Sequence, residues 1–251
     1  MDQLTLGGRL LAERDAQASH GLYYWTTIVM TYNSNHLEGS TLSPIQTQQL
    51  YDTGSVTPTG EKPLKLDDLI ETKNHFKAFD YMLDHCQGPL SHDFVCALHR
   101  LLKSGTSQAD KNQLWNIGGY KKFTNQIGFF NPVRTAPPDK VKEEMEEVFR
   151  LGQGLPVDEA GIDSALAEFH ATFERIHPFS DGNGRIGRLL LFKECLRLGL
   201  TPPIIFDDEK DSYIHALSSW TLSHPDELAA FIRHSRERYT QDVLDKFKDT
   251  S

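Results

Sequence analysis

The chain has 251 residues, and its 26 Lys and Arg against 35 Asp and Glu give a formal net charge of −9. A hydrophobic fraction of 38% with 24% charged residues is ordinary for a globular protein, so the length allows one domain with a sizeable core. The acidic balance argues against a nucleic-acid partner, because nucleic-acid phosphates call for a basic protein surface.

Cysteine content and hydropathy exclude further classes of protein. Cys86, Cys96 and Cys195 are odd in number and show no C-x-x-C spacing, so neither a disulfide framework nor a zinc site is expected. This pattern favours a reducing compartment, and we expect a cytoplasmic protein. The N-terminus lacks the basic flank and long apolar core of a secretory signal. The apolar runs fall short of a membrane span, so no membrane partner is predicted.

The first half of the chain carries apolar residues at the spacing of amphipathic helices. Gly39 is a plausible stop for the first of them, because glycine adopts the left-handed conformation that commonly ends a helix. The stretch 40–63 is rich in Ser, Thr, Gly and Pro and is interpreted mainly as a connector. Ser91 is a suitable N-cap for a later helix. The predicted helices cover 22–37, 44–51, 67–86 and 92–104.

Residues 116–132 depart from helical periodicity. Turn formers and aromatic residues flank a polar centre there, which is typical of a short β-hairpin. An irregular connecting loop fits the periodicity nearly as well. We predict the hairpin and keep the loop as its alternative.

The second half returns to helical spacing. Pro137 and Asp139 start an amphipathic helix that ends at Gly152, and Asp158 is a candidate cap for the next helix. A later helix stops at Gly199. Two more helices are predicted over 207–220 and 225–247, so the chain is expected to be a mostly α, single-domain protein.

The stretch from Ile176 to Arg188 reads I-H-P-F-S-D-G-N-G-R-I-G-R and concentrates groups that handle a polyphosphate. Gly182, Asn183 and Gly184 allow a tight turn whose backbone N–H groups face an anion. The helix that follows presents the positive end of its dipole at the same point. The turn is therefore a candidate phosphate-binding site.

Four side chains add to this pattern. Arg185 and Arg188 are three residues apart and share one helix face, so both can reach phosphate oxygens. Asp181 is a hard oxygen ligand of the kind that Mg²⁺ prefers. His177 can accept a proton near neutral pH. Together they predict chemistry on a metal-bound polyphosphate.

Each of these residues also has an ordinary interpretation as a turn former, a structural histidine or a solvated helix face. Their co-occurrence at one helix N-terminus favours the site. Gly182, Gly184 and Gly187 also match the G-x-G-x-x-G spacing of dinucleotide-binding folds, with Asp207 and Asp208 downstream. The residues before the motif repeat at helical spacing rather than strand spacing, so we reject a Rossmann fold.

The residues from His177 to Arg188 resemble the active-site signature of the Fic family, H-x-F-x-[DE]-G-N-G-R-x-x-R, at every defined position. The resemblance implies a mostly α, Fic-type helical bundle with a small β-hairpin flap. It also implies transfer of AMP from Mg-ATP to a Ser, Thr or Tyr hydroxyl of a protein. We expect one domain over 1–251, with its catalytic core at 91–200.

The resemblance implies a role for each residue of the signature. His177 would be the catalytic base, Phe179 the anchor of the loop in the core, and Asp181 the Mg²⁺ ligand. The phosphates of ATP would be bound by Gly182, Asn183, Gly184, Arg185 and, at the γ-phosphate, Arg188.

A second stretch, Ser34 to Gly39, resembles the inhibitory motif of the family, [ST]-x-x-x-E-[GN]. The segment 20–39 would then be an inhibitory helix. Its Glu38 would pair with Arg188 and deny that guanidinium to the γ-phosphate. A solvated glutamate before a glycine is the ordinary alternative.

The resemblance extends to two weaker positions. The predicted hairpin would be the flap that aligns the backbone of the target by strand addition, although Gly119-Tyr120-Lys121 stands where relatives often carry G-x-Y-R. Tyr213 would lie on the adenine side of the nucleotide, with a core tyrosine as the alternative. The flap residues are expected to be Thr124, Asn125, Gln126, Ile127 and Gly128.

The sequence therefore predicts an autoinhibited protein adenylyltransferase that uses ATP and Mg²⁺. Its protein substrate is unidentified, the chain itself is one candidate, and a homo-oligomer is left open. One alternative is removal of AMP, or transfer of another nucleotide or phosphate group, on the same scaffold. The others are a binding protein whose site stays shut and a Rossmann-type dehydrogenase.

Overall fold

The computed structural model describes residues 5–58, 63–127, 133–156 and 161–248. Within these ranges the regular secondary structure is almost all helical, with one pair of short antiparallel strands. The helices are α1 (Leu6–Asp15), α2 (Leu22–Leu37), α3 (Pro44–Thr53), α4 (Leu66–Asp84), α5 (His92–Lys103), α6 (Asn112–Trp115), α7 (Val141–Gln153), α8 (Ile162–Ile176), α9 (Asn183–Arg197), α10 (Lys210–Ser219) and α11 (Asp226–Asp242), and the strands are β1 (Gln126–Ile127) and β2 (Val133–Arg134).

The predicted mostly α fold is confirmed. The hairpin predicted within 116–132 is displaced toward the C-terminus. Its strands lie at 126–127 and 133–134 rather than on either side of the polar centre 123–126. The helix predicted over 22–37 has those bounds, and Gly39 follows it with a φ of +92°. α3 begins with a capping box, in which Ser43 accepts from the Gln46 N–H and the Gln46 side chain accepts from the Ser43 N–H. Ser91 caps α5 as predicted, because its hydroxyl accepts from the Phe94 N–H.

Several short elements differ from the prediction. One helix, α1, precedes the predicted ones. The Thr5 hydroxyl caps its first turn by accepting from the Gly8 N–H. Two glycines interrupt its apolar pattern, so the sequence gives it little helical signal. The helix predicted over 207–220 begins as the 3-10 turn Asp207–Glu209 and continues as α10. The last helix breaks at Val243, which has a φ of −124°. A 3-10 turn then ends the described chain.

The core is built around α9, which is packed by α1, α2, α4, α5 and α8. Its apolar residues point in every direction, and the helix is buried from its first residue to its last full turn. A helix buried all round has no solvated face for its polar side chains. The two arginines of its first turns are therefore only 4% exposed and must be satisfied by neighbouring elements.

The helix α8 delivers the chain to this site. Gly161 starts it with a φ of +83°, and the predicted cap Asp158 lies outside the described residues. α8 and α9 pack against each other, so the loop between them is held at one end of the pair. A helix rather than a strand precedes the glycine motif, which agrees with the rejection of a Rossmann fold. No helix in the described ranges has the length and apolar character of a membrane span.

Candidate active site

The loop from His177 to Gly182 is fixed by its own backbone and by one asparagine. His177 ends α8 with a φ of +51°, a conformation that is costly for a residue with a Cβ. The Asn183 side chain accepts from the Phe179 N–H at 2.8 Å and donates to the Phe179 carbonyl at 2.9 Å. Phe179 is fully buried, and its ring stacks on His99 at a centroid distance of 3.9 Å. The strained backbone conformation of His177 is therefore held by the hydrogen bonds of Asn183 and the packing of Phe179.

The first turn of α9 is the candidate anion site. Gly182 has a φ of +81° and precedes the helix, and no side chain caps the helix N-terminus. Its free N–H groups and the positive end of the helix dipole therefore face the space beside Gly184. The side chain of Asn183 is already hydrogen-bonded to the Phe179 backbone. Asn183 could therefore bind an anion only through its backbone N–H group.

The Glu38 carboxylate lies against the first turn of α9 and pairs with Arg188. The Arg188 NH2 group donates to Glu38 Oε1 at 2.7 Å and to the Ser34 carbonyl at 2.8 Å. The Arg188 Nε–H donates to Ser34 Oγ at 3.0 Å. A Cβ on Gly184 would collide with Glu38 Oε1, so this oxygen packs against the bare backbone of the first turn. Glu38 and Ser34 thus engage the guanidinium that is predicted to bind the γ-phosphate.

Glu38 is ionised in this position. Burial would raise its pKa, but the positive charges of Arg188 and Arg185 outweigh burial and hold the pKa below its ordinary value. The Glu38 side chain is 35% exposed and the Arg188 side chain 4%, so the pair sits at the mouth of a buried site. An ion pair of this kind is screened little by salt.

Arg185 is held by residues that the sequence analysis did not single out. Its NH1 group contacts a carboxylate oxygen of Glu71 and lies 3.3 Å from Asn35 Oδ1. The other oxygen of Glu71 contacts the Lys103 ammonium, which donates to Asp181 at 2.6 Å. The Nε–H of Arg185 is buried without a partner among the described residues.

Asp181 is suited to a metal ion that arrives with a nucleotide. Burial would raise its pKa, but Lys103 and Arg185 hold the pKa well below its usual range, so the carboxylate is ionised. Its side chain is 36% exposed. No cluster of three or more His, Cys, Asp or Glu side chains that could hold a metal occurs in the described part of the chain. Mg²⁺ is commonly held by one carboxylate together with substrate phosphates and water, which fits this donor set.

His177 is in the protonation state of a base. Its Nδ1 lies 3.3 Å from the Glu174 carbonyl, and because a carbonyl only accepts, Nδ1 carries the proton and Nε2 is the free acceptor. Burial lowers the pKa of His177, and the Lys121 ammonium adds to this effect. The Glu174 carbonyl and the charges of Glu38 and Asp181 oppose it. The imidazole is therefore neutral at neutral pH.

The predicted flap lies beside this loop. β1 and β2 pair antiparallel, with Gln126 opposite Arg134 and Ile127 opposite Val133. Asn125, just before β1, donates to the Phe179 carbonyl at 3.0 Å, which places the hairpin against the catalytic loop. Thr124 is exposed. Gly128, the last of the predicted flap residues, lies outside the described residues.

Tyr213 is buried behind Arg188. The residue is 5% exposed, and its hydroxyl lies 2.8 Å from His170 Nε2. Its ring packs against Phe231 at a centroid distance of 5.7 Å and shares a small apolar cluster with Leu37. The contact to adenine that the resemblance implies for Tyr213 stays a prediction.

Other functional candidates carry only faint sequence signals. Lys103 lies on the face of α5 that also carries Val95 and Leu102, and a lysine at a predicted buried position indicates a buried partner. Glu71 has no such signal, because nothing in its local pattern distinguishes it from a solvated helical glutamate. Four other histidines, His75, His85, His92 and His99, form hydrogen bonds to protein groups and are interpreted as structural. Burial lowers the pKa of His75 and of His99 to about 3.

Known proteins resemble both the sequence and the fold. Residues 89–194 match the family model described as Fic/DOC family. Among curated proteins, protein adenylyltransferase fic-1 of Caenorhabditis elegans is 26% identical over 211 residues, which cover 83% of this chain and 39% of the relative. Protein adenylyltransferase Fic of Drosophila grimshawi is 35% identical over 216 residues, covering 86% of this chain and 42% of the relative. The chain thus spans about two fifths of the length of these relatives.

Solved structures share the fold. A Fic domain containing signaling protein from Bacteroides thetaiotaomicron superposes with a TM-score of 0.76 at 22% identity, covering 96% of each chain. C. elegans Fic-1 (residues 134–508) superposes with a TM-score of 0.70 at 22% identity, covering 94% of this chain and 69% of the other. At these identities the likeness concerns the fold alone.

Proposed function

We propose that this chain, which belongs to the Fic/DOC family through residues 89–194, transfers AMP from Mg-ATP to a Ser, Thr or Tyr hydroxyl of a protein and is autoinhibited by Glu38. The observation that carries the proposal is that an ionised carboxylate of the chain lies where an anion would bind, on a helix N-terminus and on Arg188, beside a neutral histidine. The names of the curated relatives support the reaction class. We propose that the catalytic core spans 91–200 and the inhibitory helix 20–39, within one domain over 1–251.

The chemistry follows from the residues of the loop. His177 Nε2 takes the proton of the acceptor hydroxyl as the oxygen attacks the α-phosphorus of ATP in line. The new oxygen–phosphorus bond replaces the bond to the bridging oxygen, and pyrophosphate leaves. Arg185, Arg188 and the N–H groups of the first turn of α9 stabilise the charge that builds on the leaving phosphates. Mg²⁺ held by Asp181 would neutralise phosphate oxygens and orient them.

Inhibition follows from competition for Arg188. The γ-phosphate and Glu38 are both anions that need the same guanidinium and the same space over Gly184. While Glu38 stays in place, its negative charge repels the triphosphate. Its ion pair with Arg188 also keeps that guanidinium from binding the γ-phosphate. The nucleotide is then bound weakly or with its α-phosphate misplaced for attack.

The test measures incorporation of label from [α-³²P]ATP together with the mass of the adduct. Glu38→Gly should raise incorporation into lysate proteins or into the chain itself, because Arg188 becomes available. Glu143→Gln, an exposed carboxylate far along the chain, is the matched control and should stay at the wild-type level. Adding His177→Ala to Glu38→Gly should abolish transfer while ATP still binds.

Two results would contradict the proposal. Equal incorporation by wild type and Glu38→Gly would remove the inhibitory role, and full transfer without His177 would exclude it as the base. Incubation of a purified AMP-modified acceptor with wild type distinguishes AMP transfer from the alternative reaction, which is removal of AMP. Release of AMP by the wild type would favour removal of AMP, with the ionised Glu38 positioning a water molecule.

A further inference from the structure

Lys121 is a buried ammonium without a carboxylate partner. The residue is 2% exposed, and no ion pair links it to any residue in the part of the chain that the structure describes. Its three N–H bonds are used on neutral oxygens: Asn125 Oδ1 at 2.7 Å, Thr135 Oγ1 at 2.7 Å and the Ile176 carbonyl at 3.1 Å. An ammonium has three donors and no acceptor, so these contacts saturate it.

The partners of Lys121 belong to two different elements of the site. Asn125 and Thr135 flank the hairpin, immediately before β1 and after β2. Ile176 is the last residue of α8, directly before His177. The backbone N–H of Lys121 donates to the Pro178 carbonyl at 2.8 Å, directly after His177. One residue therefore binds the catalytic loop on both sides of the histidine and the hairpin at both of its ends.

We propose that Lys121 is a positioning residue that ties the base of the hairpin to the catalytic loop on both sides of His177. The inference rests on the proposed function, because it concerns how an acceptor hydroxyl presented by the hairpin is kept in reach of the imidazole. A rigid tie between the two elements sets that distance before any substrate arrives. Positioning of this kind contributes to rate through orientation rather than through contact with the reacting atoms.

The physical chemistry of the site favours a role beyond packing. Burying a charge without a counter-ion is costly, and burial lowers the pKa of Lys121 to about 8, with Glu144 as the charge that opposes the shift. A methionine of similar length would fill the space without this cost. Groups held at such a cost are concentrated at functional sites. The positive charge of Lys121 also lowers the pKa of the His177 imidazole.

The pKa of His177 depends on charges contributed by three parts of the chain. Lys121 acts from the segment before the hairpin, Glu38 from the end of α2, and Asp181 from the loop itself. Removal of the lysine charge leaves the two carboxylates, which both raise the pKa of His177. The pKa of His177 is therefore expected to rise when Lys121 is made neutral.

The experiment compares Lys121→Met with Lys122→Met, its exposed neighbour, both in the full chain with Glu38→Gly. Hydrogen exchange of the segments around 121–127, 133–136 and 176–180 reports the tie. We expect exchange of these segments to rise at least tenfold in Lys121→Met and to stay unchanged in Lys122→Met. An NMR titration of the imidazoles, assigned with His177→Ala, should show a higher pKa of His177 in Lys121→Met alone.

Transfer assays add a readout that a merely structural residue would not give. Lys121→Met should lower kcat by roughly 10- to 100-fold, the range expected when reacting groups are misplaced, while the Kd of ATP stays the same. Lys121→Arg keeps the charge and the donors and should restore most of the protection and the lower pKa of His177. If no variant transfers label, the proposed function fails, and exchange and titration still decide the role of Lys121.

If Lys121→Met and Lys122→Met show the same hydrogen-exchange rates and the same His177 titration curve, the proposal is overturned. If Lys121→Met does not fold, Thr135→Val decides, because it keeps the lysine and removes one acceptor of the tie. Because Thr135 also bonds Asn125 directly, the segment measured in that variant is 176–180, and faster exchange there supports the tie. Unchanged exchange there contradicts it.

Discussion

Glu174, three residues before His177, is a buried acid whose Oε1 has no hydrogen-bond partner among the described residues. A Cβ on Gly187 would collide with that oxygen, so Glu174 packs directly against the backbone of α9. Burial raises the pKa of Glu174 to about 8, and the opposing charge of Arg188 does not compensate. The group is therefore neutral in the fold at neutral pH, directly behind the arginine that the proposed mechanism uses.

This shift makes stability depend on pH. Between about pH 4.5 and 8 the folded chain holds a proton on Glu174 that the unfolded chain has lost. The contribution is complete below the unfolded pKa and is lost as pH rises through about 8. Glu174→Gln cannot ionise, so its free energy of unfolding should fall less than that of wild type from pH 5 to 8, by at least ~1.4 kcal/mol, the value of one pKa unit.

Denaturant melts at several pH values measure this difference. Glu168→Gln, a half-buried residue on the same helix, is the matched control and should follow the wild-type curve. Parallel curves for wild type and Glu174→Gln would show that Glu174 is ionised in the fold.

At the scale of elements, the last turn of α2 works as a clamp on Arg188. It offers three acceptors from a single turn: the Ser34 hydroxyl, the Ser34 carbonyl and the Glu38 carboxylate. The turn is closed by the Glu38 N–H, which donates to the Asn35 carbonyl, and by the positive φ of Gly39. The proposed inhibition is thus expected to depend on the whole turn, to which Glu38 contributes the charge.

Ser34→Ala should weaken this clamp without removing it. The hydroxyl accepts from a charged donor, and such a bond contributes about 1.5–3 kcal/mol. ATP should therefore bind the variant more tightly than wild type and less tightly than Glu38→Gly, as measured by calorimetry. Ser40→Ala, whose hydroxyl accepts only the distant Leu42 N–H at 3.4 Å, is the control. An unchanged Kd in Ser34→Ala would restrict inhibition to Glu38.

At the scale of the whole molecule, the site is a network of ion pairs between residues that lie far apart in the chain. Three cations, Lys103, Arg185 and Arg188, face three carboxylates, Glu38 on α2, Glu71 on α4 and Asp181 on the loop. With Glu38 in place the three positive and three negative charges balance, and removal of Glu38 leaves one excess positive charge in the site. Stability and nucleotide binding are therefore linked.

Glu38→Gly should be less stable than wild type without nucleotide, because a buried guanidinium loses its carboxylate partner. Breaking a fully buried pair typically costs about 3–5 kcal/mol, and the cost here should be smaller because the Glu38 side chain is 35% exposed and Arg188 keeps its bonds to Ser34. Mg-ATP should then stabilise the variant by about 2.7 kcal/mol at a hundredfold excess over its Kd, and wild type by much less. Thermal melts with and without Mg-ATP measure both effects, with Glu143→Gln as control. A variant that melts above wild type without ATP would contradict this linkage.

The sequence predicts the parts of the site that lie close together in the chain. The signature from His177 to Arg188 and the turn around Glu38 are local patterns, and the structure brings them into contact. Glu71 and Lys103 escape prediction because their partners are far away in sequence and their own surroundings are ordinary helix. The short helix α1 escapes for a physical reason as well, since its stability comes from packing on α2 and α4 rather than from its own residues.

Glu38 is covalently tied to the arginine site that we propose it blocks. Its effective concentration at Arg188 is set by the α2 backbone rather than by the protein concentration. On this proposal dilution should not activate the protein, and a competing nucleotide has to displace a tethered carboxylate. Activation would then require that the carboxylate leave Arg188 while it stays attached to the same chain.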